Sequence, residues 1–169
     1  MPYRRSHRLL RHVVTDHLSV ARAFTPAVLD EIERAIVAGE RTHRGQVCVA
    51  VEGALPPLRV LRKLTPRERA LEVFGLLRVW DTEHNNGVLI YLLLADHDVE
   101  IVADRGIANA DGDAQWQAIC GEIERACAAG RYIDGVIDGI RASAAAIAKR
   151  FPQDASVMRN ELPDKPVLL

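Results

Sequence analysis

With 169 residues, 49% of them apolar and 27% charged, the chain is long enough for one domain with its own core and too apolar for wholesale disorder. A net charge of −1 gives no global electrostatic basis for nucleic-acid binding, so no nucleic-acid partner is expected. Three scattered cysteines (Cys48, Cys120, Cys127) form no CxxC pair, which excludes a disulfide framework and points to a reducing compartment.

Residues 1–24 form a basic segment, with Arg4, Arg5, Arg8, Arg11 and Arg22 against one acid, Asp16, and read as a solvated basic helix. Its charge also allows a weak membrane-surface contact with anionic lipid. His12, Asp16 and His17 break any apolar core of signal-peptide type. The longest apolar run, Val88 to Ala95, is far below the ~20 residues needed to span a bilayer. The expectation is a cytoplasmic, unanchored protein.

All eight prolines lie at or before Pro66 or at or after Pro152, which leaves 67–151 free of breakers. Thr25-Pro26 supplies an N-cap and an N1 proline for a helix packing Val28, Leu29, Ile32 and Ile36, with Gly39 near its end. Val47, Val49 and Val51 alternate with Cys48, Ala50 and Glu52, predicting a strand with one buried face. Pro56-Pro57 leaves 53–64 a loop with a short extended or helical piece. Thr65-Pro66-Arg67-Glu68 is a capping box for a helix to about Arg78, expected to bury Leu71, Phe74 and Leu77.

The polar loop 81–87 leads into Val88–Leu94, a continuous apolar run that fits a central strand covered on both faces. Ala95-Asp96-His97 reads as a tight turn into a second strand through Val99 and Ile101 to Asp104, an antiparallel hairpin. Trp116, Ile119, Cys120, Ile123 and Cys127 mark one helix, stopped at Gly130. Ile133, Val136, Ile137, Ile140, Ala144 and Ile147 mark a last one, where Gly135 and Gly139 permit close packing. Residues 152–169 read as a tail, docked or loose. The predicted class is α/β: a mixed sheet containing an antiparallel hairpin, with helices on both faces. The domain proper spans 25–151.

Between Asp81 and Asp113 eight acids face one base, Arg105, and they fall in loops and at strand ends, where α/β proteins place ligand sites. Carboxylates clustered with Asn85, Asn86 and Asn109 suit a hard cation, calcium or magnesium; ordinary solvated turns would use the same residue types. Asn109-Ala-Asp111-Gly112-Asp113 is not an EF-hand, because the first and twelfth positions hold Ile107 and Ala118. Leu92–Glu100 departs from the aspartyl-phosphatase strand at Glu100. No serine sits in a nucleophile elbow, the six histidines lack zinc spacing, and no phosphate-binding glycine loop is present. Cys120 and Cys127 lie on an apolar helix face as packing residues. His84 and His97 flank the acidic loops as candidates for proton transfer.

Asn85-Asn86-Gly87-Val88-Leu89-Ile90 after an acidic loop, then the hairpin Val99-Glu-Ile-Val-Ala-Asp104-Arg-Gly106-Ile107, resembles the TPM domain family. The resemblance extends to the acid near Asp113 and to the paired helices around Gly130, covering about 25–150. It implies a three-layer α/β/α sandwich. Plant thylakoid-lumen relatives are described as acid phosphatases linked to photosystem repair, and bacterial relatives as calcium-binding modules or membrane-anchored accessory proteins. The family's functional patch, carried over, comprises Asp81, Asn85, Asn86, Asp104, Asp111 and Asp113. The chain differs from many relatives in lacking an export signal, a membrane helix and a Gly-rich tail, which speaks against a lumenal or anchored role. Two functions follow as expectations: a cation-binding interaction or accessory module with an unidentified protein partner, or a metal-assisted acid phosphatase on phosphomonoesters. The scarcity of bases near the acids favours the first.

Overall fold

The computed structural model describes residues 3–15, 17–107, 112–154 and 160–169. In chain order it has α1 (Tyr3–Val14), α2 (His17–Ala23), α3 (Pro26–Glu40), β1 (Gln46–Glu52), α4 (Pro57–Leu61) and α5 (Pro66–Leu76). Then follow β2 (Gly87–Leu93), a 3-10 turn (Leu94–Asp96), β3 (Asp98–Ala103), α6 (Gly112–Ala128), α7 (Tyr132–Ala148) and β4 (Val167–Leu168). The capping signals act as read. Thr25 Oγ1 accepts the Val28 N–H at 3.4 Å, while Thr65 Oγ1 accepts the Glu68 N–H and Glu68 returns the bond to Thr65 N–H at 2.8 Å. Each such cap stabilises its helix by about 1 kcal/mol.

The sheet runs β3-β2-β1-β4. β1 and β2 are parallel, from Gln46 opposite Gly87 to Glu52 opposite Leu93, and β2 and β3 form the expected antiparallel hairpin. Side-chain alternation divides the core into two layers. Val47, Val49, Val51, Val88, Ile90 and Leu92 pack with α2, α3, α6 and α7. Cys48, Ala50, Leu89, Tyr91 and Leu93 pack with Leu9 of α1, Val60 of α4, and Ala70 and Val73 of α5. The result is the α/β/α sandwich. Gly135 and Gly139 let α7 lie against Ala126 and Ile123 of α6, where an added Cβ would come within 2.7 Å and 2.4 Å of side-chain atoms.

Three readings of the sequence change, and a fourth, left open between docked and loose, is decided. β1 is buried on both faces, because helices cover each side and β4 covers its edge. On α5 the inward residues are Ala70 and Val73, and Leu71 is exposed; small residues face the sheet because the helix lies close to it. The tail is docked over 160–169: Gln46 Oε1 accepts the Glu161 and Leu162 N–H groups, and Val167–Leu168 adds a parallel strand to β1. The first helix is not simply solvated, since His12 is buried beneath it.

The outer edge of β3 is occupied by side chains. Val99 N–H donates to Glu124 of α6 at 3.2 Å, and Arg67 of α5 donates to the Ile101 carbonyl at 2.6 Å. On the far side the short β4 pairs with Ala50 and Val51 of β1.

Candidate functional site

The parallel β1–β2 pair sets its two amino ends side by side, and the hairpin returns the end of β3 to the same edge. Here the 81–87 loop meets residues 104–107. Gly106 N–H donates to the Asn85 carbonyl at 2.8 Å and Asp104 N–H to the Gly87 carbonyl at 2.9 Å. Both glycines are required by proximity: a Cβ on Gly87 would lie 2.0 Å from the Val79 carbonyl oxygen, and one on Gly106 2.3 Å from that of Asn85. Asn85 takes a left-handed backbone (φ 52°), which asparagine tolerates better than most residues.

Asn86 is fully buried. Its backbone N–H donates to Thr82 Oγ1 at 3.0 Å, its Nδ2 donates to the Arg44 carbonyl at 2.5 Å, and its Oδ1 has no hydrogen-bond partner. Asp104 uses Oδ1 to accept the Arg105 N–H at 2.7 Å, while its buried Oδ2 also has no partner. Two unpaired oxygen acceptors are therefore held at one edge of the sheet. Beside them, His43 is buried and accepts the Gly45 N–H on Nδ1, and burial lowers its pKa, so it stands neutral.

Of the six residues singled out, the structure brings Asn85, Asn86 and Asp104 together. Asn85 Oδ1 is occupied by the Arg105 guanidinium at 2.9 Å. Asp81 turns to the surface and pairs with Arg78 at 2.5 Å. Asp111 lies outside the described residues, and Asp113 is placed only as part of the first turn of α6. Among the described residues, no three His, Cys, Asp or Glu side chains gather in metal-binding geometry. The site also occupies the amino ends of the parallel strands, whereas α/β ligands usually bind at the carboxyl ends.

At those carboxyl ends lie two buried polar clusters that the sequence reading did not reach. Glu52 accepts the Tyr91 hydroxyl at 2.6 Å and two bonds from Arg69 at 2.8 and 3.1 Å. Burial, reinforced by Glu52, raises the Tyr91 pKa, so the phenol keeps its proton; burial opposes the Arg69 charge, but the bonds to Glu52 outweigh it. Asp96 accepts Arg8 at 2.9 and 2.7 Å and stands 3.1 Å from His12 Nε2. Burial works against the Asp96 charge, yet Arg8 and His12 hold its carboxyl below the usual range. Leu55 N–H donates to His12 Nδ1 at 2.9 Å, which fixes the proton on Nε2 facing Asp96. The imidazole lone pair is thereby taken, and burial lowers the pKa, so this His–Asp pair fastens α1 and is not a catalytic base. A carboxylate at the buried parity of β1, and Arg8 and His12 one turn apart on α1, were the available signals.

The thiols are inert in kind. Burial pushes Cys48 up to about 11 and Cys120 up to about 12. No described helix is long and apolar enough to cross a membrane.

Comparison with known proteins agrees with this architecture. The chain is similar to the NMR structure of the BA42 protein from the psychrophilic bacterium Bizionia argentinensis. Identity is 28%, the match covers 85% of this chain and 94% of that one, and the TM-score is 0.74. No curated protein sequence matches. The family profile described as the TPM domain matches residues 18–146, which takes in both helical layers, the hairpin and the Asn85–Gly106 crossing. The chain belongs to the TPM domain family.

Proposed function

We propose that this TPM domain binds a divalent cation, calcium or magnesium, at the amino edge of the sheet and serves as an interaction or accessory module. The observation that carries the reading is the pair of buried, unpartnered oxygens, Asn86 Oδ1 and Asp104 Oδ2. A buried carboxylate oxygen without a donor is costly, and a hard cation is the partner that amide and carboxylate oxygens suit best. Asp111 and Asp113, which follow in the chain, are further acidic candidates for the same cation. A cation there would offset the charge of the acidic loops and couple its own binding to their order. The metal-assisted acid phosphatase reading has weaker support. Arg105 donates Nε to Asn85 Oδ1, and Arg44 pairs with Asp154 at 3.0 Å while its buried Nε has no partner, so two partly committed guanidiniums stand against the eight acids of 81–113.

Calorimetric titration of chelator-treated protein with calcium and then magnesium tests the reading, with melting temperature followed in parallel. Binding is expected to raise the melting temperature. Asp104→Asn should weaken the affinity at least tenfold, about 1.4 kcal/mol, without lowering the stability of the metal-free protein. Asp81→Asn should leave it unchanged, because Asp81 faces Arg78. Absence of binding up to millimolar cation refutes the proposal.

A further inference from the structure

Helices α1 and α4 pack against each other on the Tyr91 side of the sheet, at the edge opposite the Asn86–Asp104 site. Each sends one face inward: Leu9 and His12 from α1, Val60 from α4. The remaining apolar residues stay in water. Leu10, Val13 and Val14 follow the i, i+3, i+4 spacing of one helical stripe, and Leu58 and Leu61 repeat it on α4. Exposure reaches 69% at Val14 and 64% at Leu61. Isolated exposed aliphatics are ordinary, but five on two touching helices form the pattern of a docking surface.

The two helices themselves carry charge of one sign, with Glu68 and Glu72 of α5 bordering the α4 cations. The α1 sequence carries Arg4, Arg5, Arg8 and Arg11 with no acid, and α4 with its following turn adds Arg59, Arg62 and Lys63, again with no acid. Arg8 is committed to Asp96, and Arg59 pairs with Glu72 of α5. Arg11 reaches Asp96 at 3.4 Å yet stays half-exposed, and Arg62 and Lys63 are exposed at the surface. We propose that this α1–α4 face docks on an anionic lipid bilayer, with Leu10, Val13, Val14, Leu58 and Leu61 entering the headgroup region and the flanking cations meeting lipid phosphates. Aliphatic tips within a cationic rim are the chemistry of an interfacial helix. A second copy of the chain on a two-fold axis would set cation against cation. Among the described side chains of α1 and α4 there is no aromatic anchor of the kind on which protein interfaces concentrate their binding energy.

The Asp96 cluster gives this surface its rigidity. Arg8 and His12 from α1 converge on one buried carboxylate, and His12 is fixed on its other side by Leu55 N–H. The helix is thus presented already folded on the domain, and lipid contact does not have to order it. This inference does not depend on cation binding at the opposite edge.

Sedimentation of the full chain with phosphatidylcholine vesicles, with and without phosphatidylglycerol, tests it. Partitioning should be at least tenfold stronger to the anionic vesicles and should fall as salt is raised. Leu58→Ser with Leu61→Ser should lose at least tenfold of that partitioning at an unchanged melting temperature, since both side chains are exposed. Arg62→Gln with Lys63→Gln should weaken it and flatten its salt dependence. Equal partitioning to neutral and anionic vesicles, or unchanged partitioning of the Leu58/Leu61 variant, overturns the proposal. Concentration-dependent dimers abolished by the same Leu58/Leu61 changes would also overturn it, in favour of self-association.

Discussion

Glu52 is the residue whose removal should cost the fold most for its size. Its carboxylate receives the Tyr91 hydroxyl and a two-pronged Arg69 contact in a position almost closed to solvent, with side-chain exposures of 8% for Glu52 and 13% for Arg69. Glu52→Ala leaves a guanidinium and a phenol without their shared acceptor. Breaking a buried ion pair from one side costs about 3–5 kcal/mol. Arg69 retains a 3.0 Å contact to Glu72, so a loss near the lower end, about 3 kcal/mol, is expected. Tyr91→Phe alone should cost about 1 kcal/mol, because Glu52 keeps both Arg69 bonds. In the Glu52→Ala background the same change should cost almost nothing, since the hydroxyl is already stranded. Urea denaturation of the four proteins in this cycle gives the coupling directly, about 1 kcal/mol in magnitude. Additive effects, or a Glu52→Ala loss below about 1 kcal/mol, would refute the account of a shared buried acceptor.

Glu40 makes stability depend on pH. Burial raises its carboxyl from 4.5 to about 7, opposed in part by the Val47 N–H that donates to it at 3.0 Å. The folded state thus holds this proton more tightly than the unfolded one. The contribution is complete below pH 4.5 and is lost as pH rises to about 7. Glu40→Gln keeps an acceptor for Val47 and removes the charge, so it should be more stable than wild type by up to about 3 kcal/mol at pH 8 and about equal near pH 4. Urea midpoints at the two pH values decide this, and an identical difference at both would contradict it. Gly106→Ala forces a Cβ against the His84 and Asn85 carbonyls, at 2.6 and 2.3 Å, and should cost about 1–3 kcal/mol in thermal unfolding. An unchanged melting temperature would show that the crossing can relax around the methyl group.

The elements were legible because their signals are local. The Thr25 and Thr65 caps, the apolar run of β2 and the stripes of α6 and α7 need only neighbours in sequence to be read. Three features were hidden because they depend on partners far along the chain. β1 looked half-buried, since nothing in residues 46–52 announces that α1, α4 and α5 come to cover the Cys48–Ala50 face. Leu71 looked like a core residue by hydrophobicity, but the approach of α5 to the sheet favours Ala70 and Val73. Asp96 looked like a turn residue, and only the docking of α1, 88 residues earlier at Arg8, makes it a buried hub. For the site, the Asn85–Gly87 and Asp104–Gly106 segments could be read as one cluster, whereas the outward pairing of Asp81 with Arg78 left no mark in the residue types.

The side chains along the outer edge of β3 limit how this protein can meet others there. Many domains recognise extended peptides by lending them a vacant strand position, and that position is also where chains stack into fibrils. Here the Glu124 carboxylate takes the Val99 N–H and the Arg67 guanidinium the Ile101 carbonyl on the outer side of β3, and Val167–Leu168 pair with Ala50 and Val51 of β1. A peptide ligand would first have to evict them. Strand addition at β3 is therefore disfavoured, and replacing Arg67 together with Glu124 is the most direct route to turning that edge into a sticky one.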